Sequence, residues 1–215
     1  MSADGISVVT TTWNERKNIK RLVPAVRNVL QRVQHEIIVV DDSSPDGTFQ
    51  AALRLADVAV SKRHEGQSQG LLHGLKLAKY PVVITIDADM ENPPAHMTRL
   101  ARLIDKFDVI VASRTTLPRF SEKLTSQTLG RIIGVSDVFS NFRAYQREAF
   151  SDYRLRAGET FGAELLVAAK KRGLRIGEIR YEPPTRRKHP RIGGTIRANV
   201  RILQALVKAM ILYLN

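Results

Sequence analysis

Along the first half of the chain, short apolar segments alternate with segments in which apolar residues recur at helical spacing. This alternation restricts the fold more than any other sequence feature. The apolar segments cover residues 6–12, 36–40, 58–61, 82–86 and 109–112. Helical spacing of apolar residues covers 19–33, 48–55, 67–80 and 95–106. Continuous apolar strands are typical of a sheet buried on both faces, and helical connections make such strands parallel. The sequence therefore predicts an α/β, Rossmann-like fold with a mostly parallel central sheet and helices on both faces.

The pattern is looser after residue 113. Helical spacing covers 125–133 and 159–172, an edge-strand pattern covers 175–181, and a basic loop bounded by Pro and Gly covers 183–194. A C-terminal amphipathic helix is predicted over 195–214. Because no linker composition or internal repeat interrupts the chain, we expect residues 1–215 to form a single domain.

The positive charge of the chain is unevenly distributed. Lys and Arg number 34 against 21 Asp and Glu residues, which gives a formal net charge of +13. Residues 1–113 hold 14 basic and 13 acidic residues, whereas residues 114–215 hold 20 and 8. Such an excess favours an anionic partner, which could be nucleic acid, a membrane surface or a phosphorylated substrate. The absence of cysteine excludes disulfides and thiolate metal sites.

Acidic residues follow two of the predicted strands. Asp41 and Asp42 come after the second strand, and Asp87, Asp89 and Glu91 come after the fourth. If the chain stays extended there, the spacing of the last three places their carboxylates on one side, where a cation would offset their repulsion. Oxygen ligands without His or Cys suit Mg²⁺ or Mn²⁺ bridging to a diphosphate. The alternatives are an Asx turn at a helix N-cap for the first pair and a solvated loop for the other three.

Several common catalytic motifs are missing from the sequence. It contains no G-x-G-x-x-G pattern, no G-x-x-x-x-G-K-[ST] pattern and no G-x-S-x-G pattern. These absences count against a dinucleotide-dependent oxidoreductase, a P-loop nucleotidase and a serine hydrolase with a nucleophile elbow.

Six segments spread over almost the whole chain resemble motifs of inverting GT-A nucleotide-sugar glycosyltransferases. They are residues 8–19 (VVTTTWNERKNI), 39–48 (VVDDSSPDGT), 86–94 (IDADMENPP), 112–114 (ASR), 140–144 (SNFRA) and 164–166 (ELL), the last ahead of the basic 187–195 loop. Their order is similar to that of the dolichol-phosphate mannose synthase family. Thr11 stands where that family has proline, Glu91 where it has glutamine and Asn141 where it has glycine.

The resemblance implies a GT-A fold and transfer of mannose from GDP-mannose to dolichyl or another polyprenyl phosphate, with inversion and with Mg²⁺ or Mn²⁺ as cofactor. It assigns the metal to Asp87, Asp89 and Glu91. The nucleotide-sugar site that it implies contains Thr11, Trp13, Asn14, Glu15, Asp41, Asp42, Asp87, Ala88 and Asp89. Trp13 either stacks on the base or packs beneath the sheet. The departures leave open a UDP-sugar donor, with glucosyl or N-acetylhexosaminyl transfer as the alternative reaction.

The acceptor phosphate is assigned to basic residues of the second half. Arg114 follows a predicted strand, where its fork suits a phosphate, and Arg119, Lys123 and Ser140 are further candidates. The predicted catalytic residues are Asp89, Arg114, Arg187 and Arg191. The last two lie in the basic loop, which we expect to close over a substrate phosphate, the alternatives being a solvated run or contact with anionic lipid.

Charge and resemblance together divide the domain into two halves. Residues 1–113 form the nucleotide-sugar and metal half, and residues 114–215 form the acceptor half, with the helix over 196–214 at a membrane interface or packed on the domain.

Residues 1–13 (MSADGISVVTTTW) lack the basic flank and long apolar stretch of a signal peptide, and no apolar run reaches the roughly 18–20 residues that span a bilayer. We expect peripheral attachment to the cytoplasmic face of a membrane. The resemblance also fits a chain truncated before C-terminal transmembrane helices.

A nucleic-acid-binding module is the alternative class of protein. It would explain the net charge of +13 but not the acidic strand ends, and the basic region lacks the interleaved aromatic residues of a single-strand binder. We therefore expect no nucleic-acid partner. Oligonucleotide binding with a steep salt dependence, and no binding of nucleotide sugars, would favour this alternative.

Overall fold

The computed structural model describes residues 5–184 and 195–215, and its strands form one seven-stranded sheet. The strands are β1 (Ile6–Thr12), β2 (His35–Asp41), β3 (Val58–Ser61), β4 (Val82–Thr85), β5 (Val109–Arg114), β6 (Arg143–Gln146) and β7 (Ile176–Tyr181). Their order across the sheet is β3-β2-β1-β4-β6-β5-β7, and β6 runs antiparallel to both of its neighbours. The prediction of a mostly parallel α/β sheet is confirmed, and β7 lies at an edge as expected.

Helices connect the strands. They are α1 (Arg16–Val29), α2 (Thr48–Leu55), α3 (Gln67–Leu77), α4 (Met97–Leu103), α5 (Phe120–Thr125), α6 (Arg131–Ile133), α7 (Ala163–Lys171) and α8 (Thr195–Leu214). A π-helical turn, Ser126–Gly130, joins α5 to α6. Short 3₁₀ helices flank α4 (Pro94–His96 and Ile104–Lys106), and another (Arg147–Phe150) follows β6.

Two apolar cores cover the two faces of the sheet, as the alternation of strands and helices predicts. Buried residues of α1, α2 and α4 pack on one face, and buried residues of α3, α7 and α8 pack on the other. Val8 and Val9 are neighbours in β1 and lie in different cores, because successive side chains of a strand point to opposite faces.

The chain reverses its direction of progress across the sheet between β3 and β4. The chain passes from β1 outward to β2 and β3, and then returns to place β4 on the other side of β1. In open parallel sheets, ligands bind at the carboxyl ends of the strands beside such a switch. The ends of β1 and β4 therefore mark the expected site.

Some element boundaries differ from the sequence predictions. Strand β6 was not predicted, because a buried arginine at its start interrupts the apolar run. The helix predicted over 125–133 begins at Phe120, and that predicted over 159–172 begins at Ala163. Helix α1 ends at Val29, short of the predicted 33.

The last helix is confirmed, but its apolar residues divide between two faces. Ile202 and Leu206 are buried, the latter in the second core, whereas Val207 and Ile211 are exposed. Packing on the domain accounts for the buried residues of the helix, and its placement at a membrane interface stays a prediction. In the described residues, no helix is both long and apolar enough to cross a bilayer.

Candidate active site

Asp41 ends β2 and is fully buried. Its carboxylate accepts a hydrogen bond from the hydroxyl of Thr12 at 2.9 Å, and bonds from the N–H and hydroxyl of Ser44 at 2.8 and 2.6 Å. These bonds tie the end of β1 to the loop after β2 and use the carboxylate inside the protein. The side chain of Asp41 thus holds the loop after β2, and its contact with the nucleotide sugar stays a prediction.

Asp42 takes part in a polar wall beside an exposed indole. Its carboxylate pairs with Lys62 Nζ and with His64 Nδ1, the latter at 2.9 Å. The ring centroids of His64 and Trp13 lie 5.1 Å apart, and Trp13 is 53% exposed. Packing of Trp13 beneath the sheet is therefore wrong. An exposed indole next to polar groups is suited to stacking on a flat aromatic ring such as a nucleotide base.

Three further residues of the predicted nucleotide site shape the end of β1 and the turn into α1. Asn14 has a φ of +59°, and its N–H donates to Ser44 Oγ at 2.9 Å. The N–H of Glu15 donates to Thr48 Oγ1 at 2.9 Å, which joins the start of α1 to the start of α2. Thr11 is half-buried in β1. These contacts fix Asn14 and Glu15 beside Trp13, at the expected edge of the sheet.

Asp87 follows β4 and is held by residues from three elements. Its carboxylate accepts hydrogen bonds from the side-chain amide of Gln67 at 2.6 Å and from that of Asn92 at 3.3 Å. Asn92 Oδ1 in turn accepts a hydrogen bond from the hydroxyl of Tyr181, at the end of β7. Sequence reasoning missed these three partners, because only the fold brings α3 and β7 to the end of β4.

The electrostatic surroundings of Asp87 oppose its ionisation. Burial raises the pKa of Asp87 to about 7, and the nearby negative charge of Asp89 contributes, while Arg114 and Arg143 partly offset both effects. Asp89 is exposed, and its negative charge repels the less solvated carboxylate of Asp87. The pair is therefore a place where a cation would be stabilised.

The predicted cluster of three carboxylates does not form. Strand β4 ends before Asp87, and Met90 has a φ of +66°, so the chain turns where it was expected to stay extended. The N–H of Glu91 donates to Asp89 Oδ1 at 3.0 Å, and Ala88 is buried in the first core. Across residues 5–184 and 195–215, no group of three or more His, Asp or Glu side chains could hold a metal ion. The protein contributes a pair of carboxylates here.

Arg114 is anchored by a buried carboxylate. Its Nε and Nη2 donate to the two oxygens of Asp137 at 2.6 and 3.2 Å, and Glu122 lies 3.5 Å from Nη2. Asp137 is only 1% exposed. Burial alone would lower the pKa of Arg114, but these carboxylates raise it, so the guanidinium stays charged. The fork is held in one orientation at the end of β5, with its charge close enough to act on Asp87.

The other predicted acceptor residues have unequal surroundings. Arg119 Nη1 donates to Glu122 at 2.9 Å, which places it beside the Arg114 cluster, and Lys123 is exposed. Ser140 is buried, and its hydroxyl donates to the carbonyl of Ala112 at 2.7 Å. The hydroxyl of Ser140 therefore stabilises a turn, and its contact with phosphate stays a prediction.

Arg143 is a functional candidate that sequence reasoning quoted only as part of a motif. The residue is fully buried, and its guanidinium donates to the carbonyls of Ser140 at 2.6 Å, Val138 at 2.8 Å and Gly162 at 2.7 Å. It thus joins two loops beside Asp87 and places a positive charge under the carboxylate pair. An arginine in the middle of an apolar run was the available signal.

Glu159 is a second missed residue. Its carboxylate accepts hydrogen bonds from the N–H of Ser68 at 3.2 Å and from the hydroxyl of Ser68 at 2.6 Å, at the start of α3. A carboxylate at this end of a helix is favoured by the helix dipole. The contact fixes the first turn of α3, which carries Gln67. Arg187 and Arg191, the remaining predicted catalytic residues, lie outside the described residues.

Solved structures with the same architecture are sugar-transferring enzymes. The chain superposes on glucosyl-3-phosphoglycerate synthase from Mycobacterium tuberculosis, solved with Mn²⁺, UDP and glucosyl-3-phosphoglycerate, with a TM-score of 0.77 and 19% identity over 96% of this chain and 80% of the other. Mannosyl-3-phosphoglycerate synthase from Rubrobacter xylanophilus gives a TM-score of 0.76 and 18% identity, covering 97% and 73%. At these identities the likeness establishes the GT-A fold, as predicted.

Sequence relatedness gives the family. Residues 7–155 match glycosyl transferase family 2, and the chain belongs to that family. It is 31% identical to a dolichol-phosphate mannosyltransferase from Pyrococcus furiosus, over 77% of this chain and 53% of the relative. It is 33% identical to an undecaprenyl-phosphate 4-deoxy-4-formamido-L-arabinose transferase from Pseudomonas fluorescens, over 66% and 47%. The chain spans about half the length of these curated relatives.

Proposed function

We propose that the protein transfers a sugar from a nucleotide-sugar donor to a polyprenyl phosphate, with inversion at the anomeric carbon. The observation that carries this proposal is the placement of the Asp87 and Asp89 pair within electrostatic reach of the Arg114 fork. Such a site can hold a cation for a diphosphate next to a guanidinium for a second phosphate. The names of both relatives specify a polyprenyl phosphate and differ in the sugar, which supports the acceptor class more strongly than the donor.

The acceptor phosphate can act as the nucleophile without a dedicated base. A phosphate monoester has a second pKa of about 6, so near neutral pH it is largely a dianion. One of its oxygens forms the new bond to the anomeric carbon, and the bond from that carbon to the diphosphate breaks, releasing a nucleoside diphosphate. Arg114, oriented by Asp137, neutralises the acceptor as it approaches an anionic donor.

The residues present fit a divalent cation, Mg²⁺ or Mn²⁺. Asp87 and Asp89 supply oxygen ligands whose mutual repulsion a cation would relieve, and Mg²⁺ in proteins typically combines one or two carboxylates with substrate phosphates. When bound, the cation supplies neutralisation of the departing diphosphate. Gln67 and Asn92 orient the Asp87 carboxylate for this role.

GDP-mannose is the donor that we propose, by similarity to the mannosyltransferase relative, with a UDP-sugar as the alternative. The nucleotide would lie along Trp13, Asn14, Glu15 and Asp42, with its base stacked on the exposed indole. The alternative is favoured by the UDP complexes of the structural neighbour, a protein of 19% identity.

An exposed apolar stripe on α8 supports an acceptor embedded in a membrane surface. Its members are Ile196, Val200, Val207, Ile211 and Leu214, all between 48% and 80% exposed. Their spacing puts them on one side of the helix, and the exposed basic residues Arg197, Arg201 and Lys208 lie beside them. A stripe of this kind suits the interface of an anionic bilayer, where the polyprenyl chain would lie.

Thermal-shift titration followed by turnover assays would test the proposal. GDP-mannose, UDP-glucose and UDP-N-acetylglucosamine are compared with and without Mn²⁺, and we expect a metal-dependent rise in Tm with one of them. Transfer to a polyprenyl phosphate is then measured with that donor. Asp89→Asn should abolish both the metal-dependent rise in Tm and the transfer reaction. The control, Asp105→Asn, changes an exposed aspartate in the 3₁₀ helix after α4 and should alter neither. Metal-independent binding of every donor, or no transfer, would contradict the proposal.

A further inference from the structure

A basic cleft lies between α1 and α2, and none of its lining residues is assigned to the strand-end site. Its volume is about 400 Å³. The lining residues are Arg16, Lys20, Gly47, Gln50, Ala51, Arg54 and Leu55. The three cationic side chains belong to exposed residues at its rim, while Ala51 is buried and Leu55 half-buried, so the cleft has a cationic rim and an apolar floor.

The cations on α1 are placed where they destabilise the helix. Arg16, Lys17, Lys20 and Arg21 occupy its first two turns, and its first turn contains no acidic residue. The N-terminus of a helix carries a partial positive charge, and like charges four residues apart repel each other. Within residues 5–184 and 195–215, neither these four side chains nor Arg54 forms an ion pair. No ion pair within the described residues therefore explains the positions of these charges.

The carboxylate of Asp46, which precedes the lining residue Gly47, is used for another purpose. Asp46 Oδ2 accepts the backbone N–H of Arg16 at 3.3 Å, and Asp46 Oδ1 accepts the N–H of Thr48 at 3.0 Å together with its hydroxyl. Asp46 therefore caps the starts of α1 and α2 and fixes their separation. The guanidinium of Arg16 remains available at the rim of the cleft.

We propose that this cleft binds a phosphate monoester with an apolar substituent, either a soluble metabolite or a lipid headgroup. Two guanidinium forks and one ammonium group converge from two helices, which suits a doubly charged phosphate. The apolar floor would contact the substituent, and the volume is in the range of small-molecule sites. None of the lining residues is assigned to the donor or the acceptor, and the proposal does not depend on the transfer reaction.

Two triple variants of the full chain provide the test. The cleft variant carries Arg16→Gln, Lys20→Gln and Arg54→Gln. The matched control carries Arg99→Gln, Arg102→Gln and Lys106→Gln, which removes the same charge from exposed positions on the same face of the sheet. Phenyl phosphate is the soluble probe, and vesicles of neutral phospholipid with and without phosphatidic acid represent the headgroup.

Backbone amide NMR locates the binding, and co-sedimentation measures attachment to vesicles. We expect a probe to shift the amides of Gly47 and Ala51, or phosphatidic acid to increase vesicle binding, and the cleft variant to lose that affinity by about tenfold or more. The control variant should retain it. If the cleft variant loses affinity for phenyl phosphate, the ligand is a soluble phosphate ester. If it loses affinity for vesicles alone, the ligand is a lipid headgroup.

Two results would overturn the proposal. One is that amide shifts occur only at the strand ends while both variants bind vesicles equally. The other is that the cleft variant alone melts at a lower temperature with unchanged binding, which would give its cations a structural role. We expect it to melt at the same temperature as the wild type or higher, because the repulsion along α1 is reduced.

Discussion

The carboxylate of Asp87 lowers the stability of the metal-free protein when it is ionised, although the proposed cation site requires it in that form. Its ordinary pKa is 3.8, and in the folded protein burial and then the charge of Asp89 raise the pKa to about 7. The folded state therefore binds this proton more tightly than the unfolded state does. Stability without metal should fall as the pH rises from about 4 to 7, because the carboxylate is ionised in an unfavourable site.

Asp87→Asn should therefore make the metal-free protein more stable at pH 7. We expect a gain of about 1–2 kcal/mol in the free energy of unfolding in the presence of a chelator, reduced by the weakened bond to Asn92. The same variant should lose metal-dependent donor binding. Urea unfolding at pH 4 and pH 7 measures the first effect, and equal loss of stability at both values would contradict it.

Asp137 is a positioning residue for Arg114. Asp137→Asn replaces one acceptor of the bidentate pair with a donor, so the fork should lose its orientation. We expect the KM for polyprenyl phosphate to rise on the order of tenfold, while the KM for the donor changes little. The matched control is Asp152→Asn, which breaks an exposed pair with Arg172. Unchanged acceptor KM in folded Asp137→Asn protein would remove the positioning role.

At the scale of elements, α3 lies unusually close to β1. A Cβ atom added at Gly74 would come within 2.2 Å of Val9 Cγ1, so the glycine permits the close packing. The approach also places Gln67, at the start of the same helix, against Asp87. Packing inside the second core thus determines the geometry of the site.

Gly74→Ala should destabilise the protein by about 1–2 kcal/mol, because overpacking exceeds the helix-propensity gain of alanine. His73→Ala is the control, since His73 is exposed on the same helix and the change should be nearly neutral. Urea midpoints and donor affinity are measured for both variants. A more stable Gly74→Ala protein would show that α3 can move without cost.

Helix α8 has an apolar face that packs and another that is exposed. Val207→Glu with Ile211→Glu should weaken binding to anionic vesicles on the order of tenfold or more, because each change removes an apolar side chain and adds repulsion. The control pair, Leu53→Glu with Leu77→Glu, alters exposed apolar residues on α2 and α3. Co-sedimentation that is equally affected by both pairs would assign membrane contact elsewhere.

At the scale of the whole molecule, the two predicted halves are interleaved. Strand β6 belongs to the second half, yet it lies between β4 and β5, whose residues come almost entirely from the first. Asp87 of the first half is influenced by Arg114 and Arg143 of the second. The division of labour between the halves stays a prediction, but they share one sheet.

We therefore expect a single cooperative unfolding transition. Trp13 is the only tryptophan, so its fluorescence reports on the first half, whereas far-UV circular dichroism reports on all helices. The two midpoints should coincide, as for other small single domains. Separate midpoints would indicate that residues 1–113 and 114–215 unfold independently.

The class of fold, and the edge of the sheet at which the candidate active site lies, could be predicted from the sequence alone. Continuous apolar strands and amphipathic helices allow few arrangements, and acidic residues after two strands meet at one edge. It also placed Arg114 at that edge. These conclusions depend on the periodicity of apolar residues and on the order of the segments along the chain, and both can be read from the sequence.

The role of each polar side chain, in contrast, depends on its tertiary contacts. Asp41 and Asp42 are adjacent, yet one holds a loop from a buried position and the other faces Lys62 beside the exposed Trp13. The chain turns at Met90, and within the described residues Glu91 does not form a metal-binding cluster with Asp87 and Asp89. The partners of such groups come from distant parts of the chain, and burial and hydrogen bonding depend on those partners rather than on neighbours in sequence.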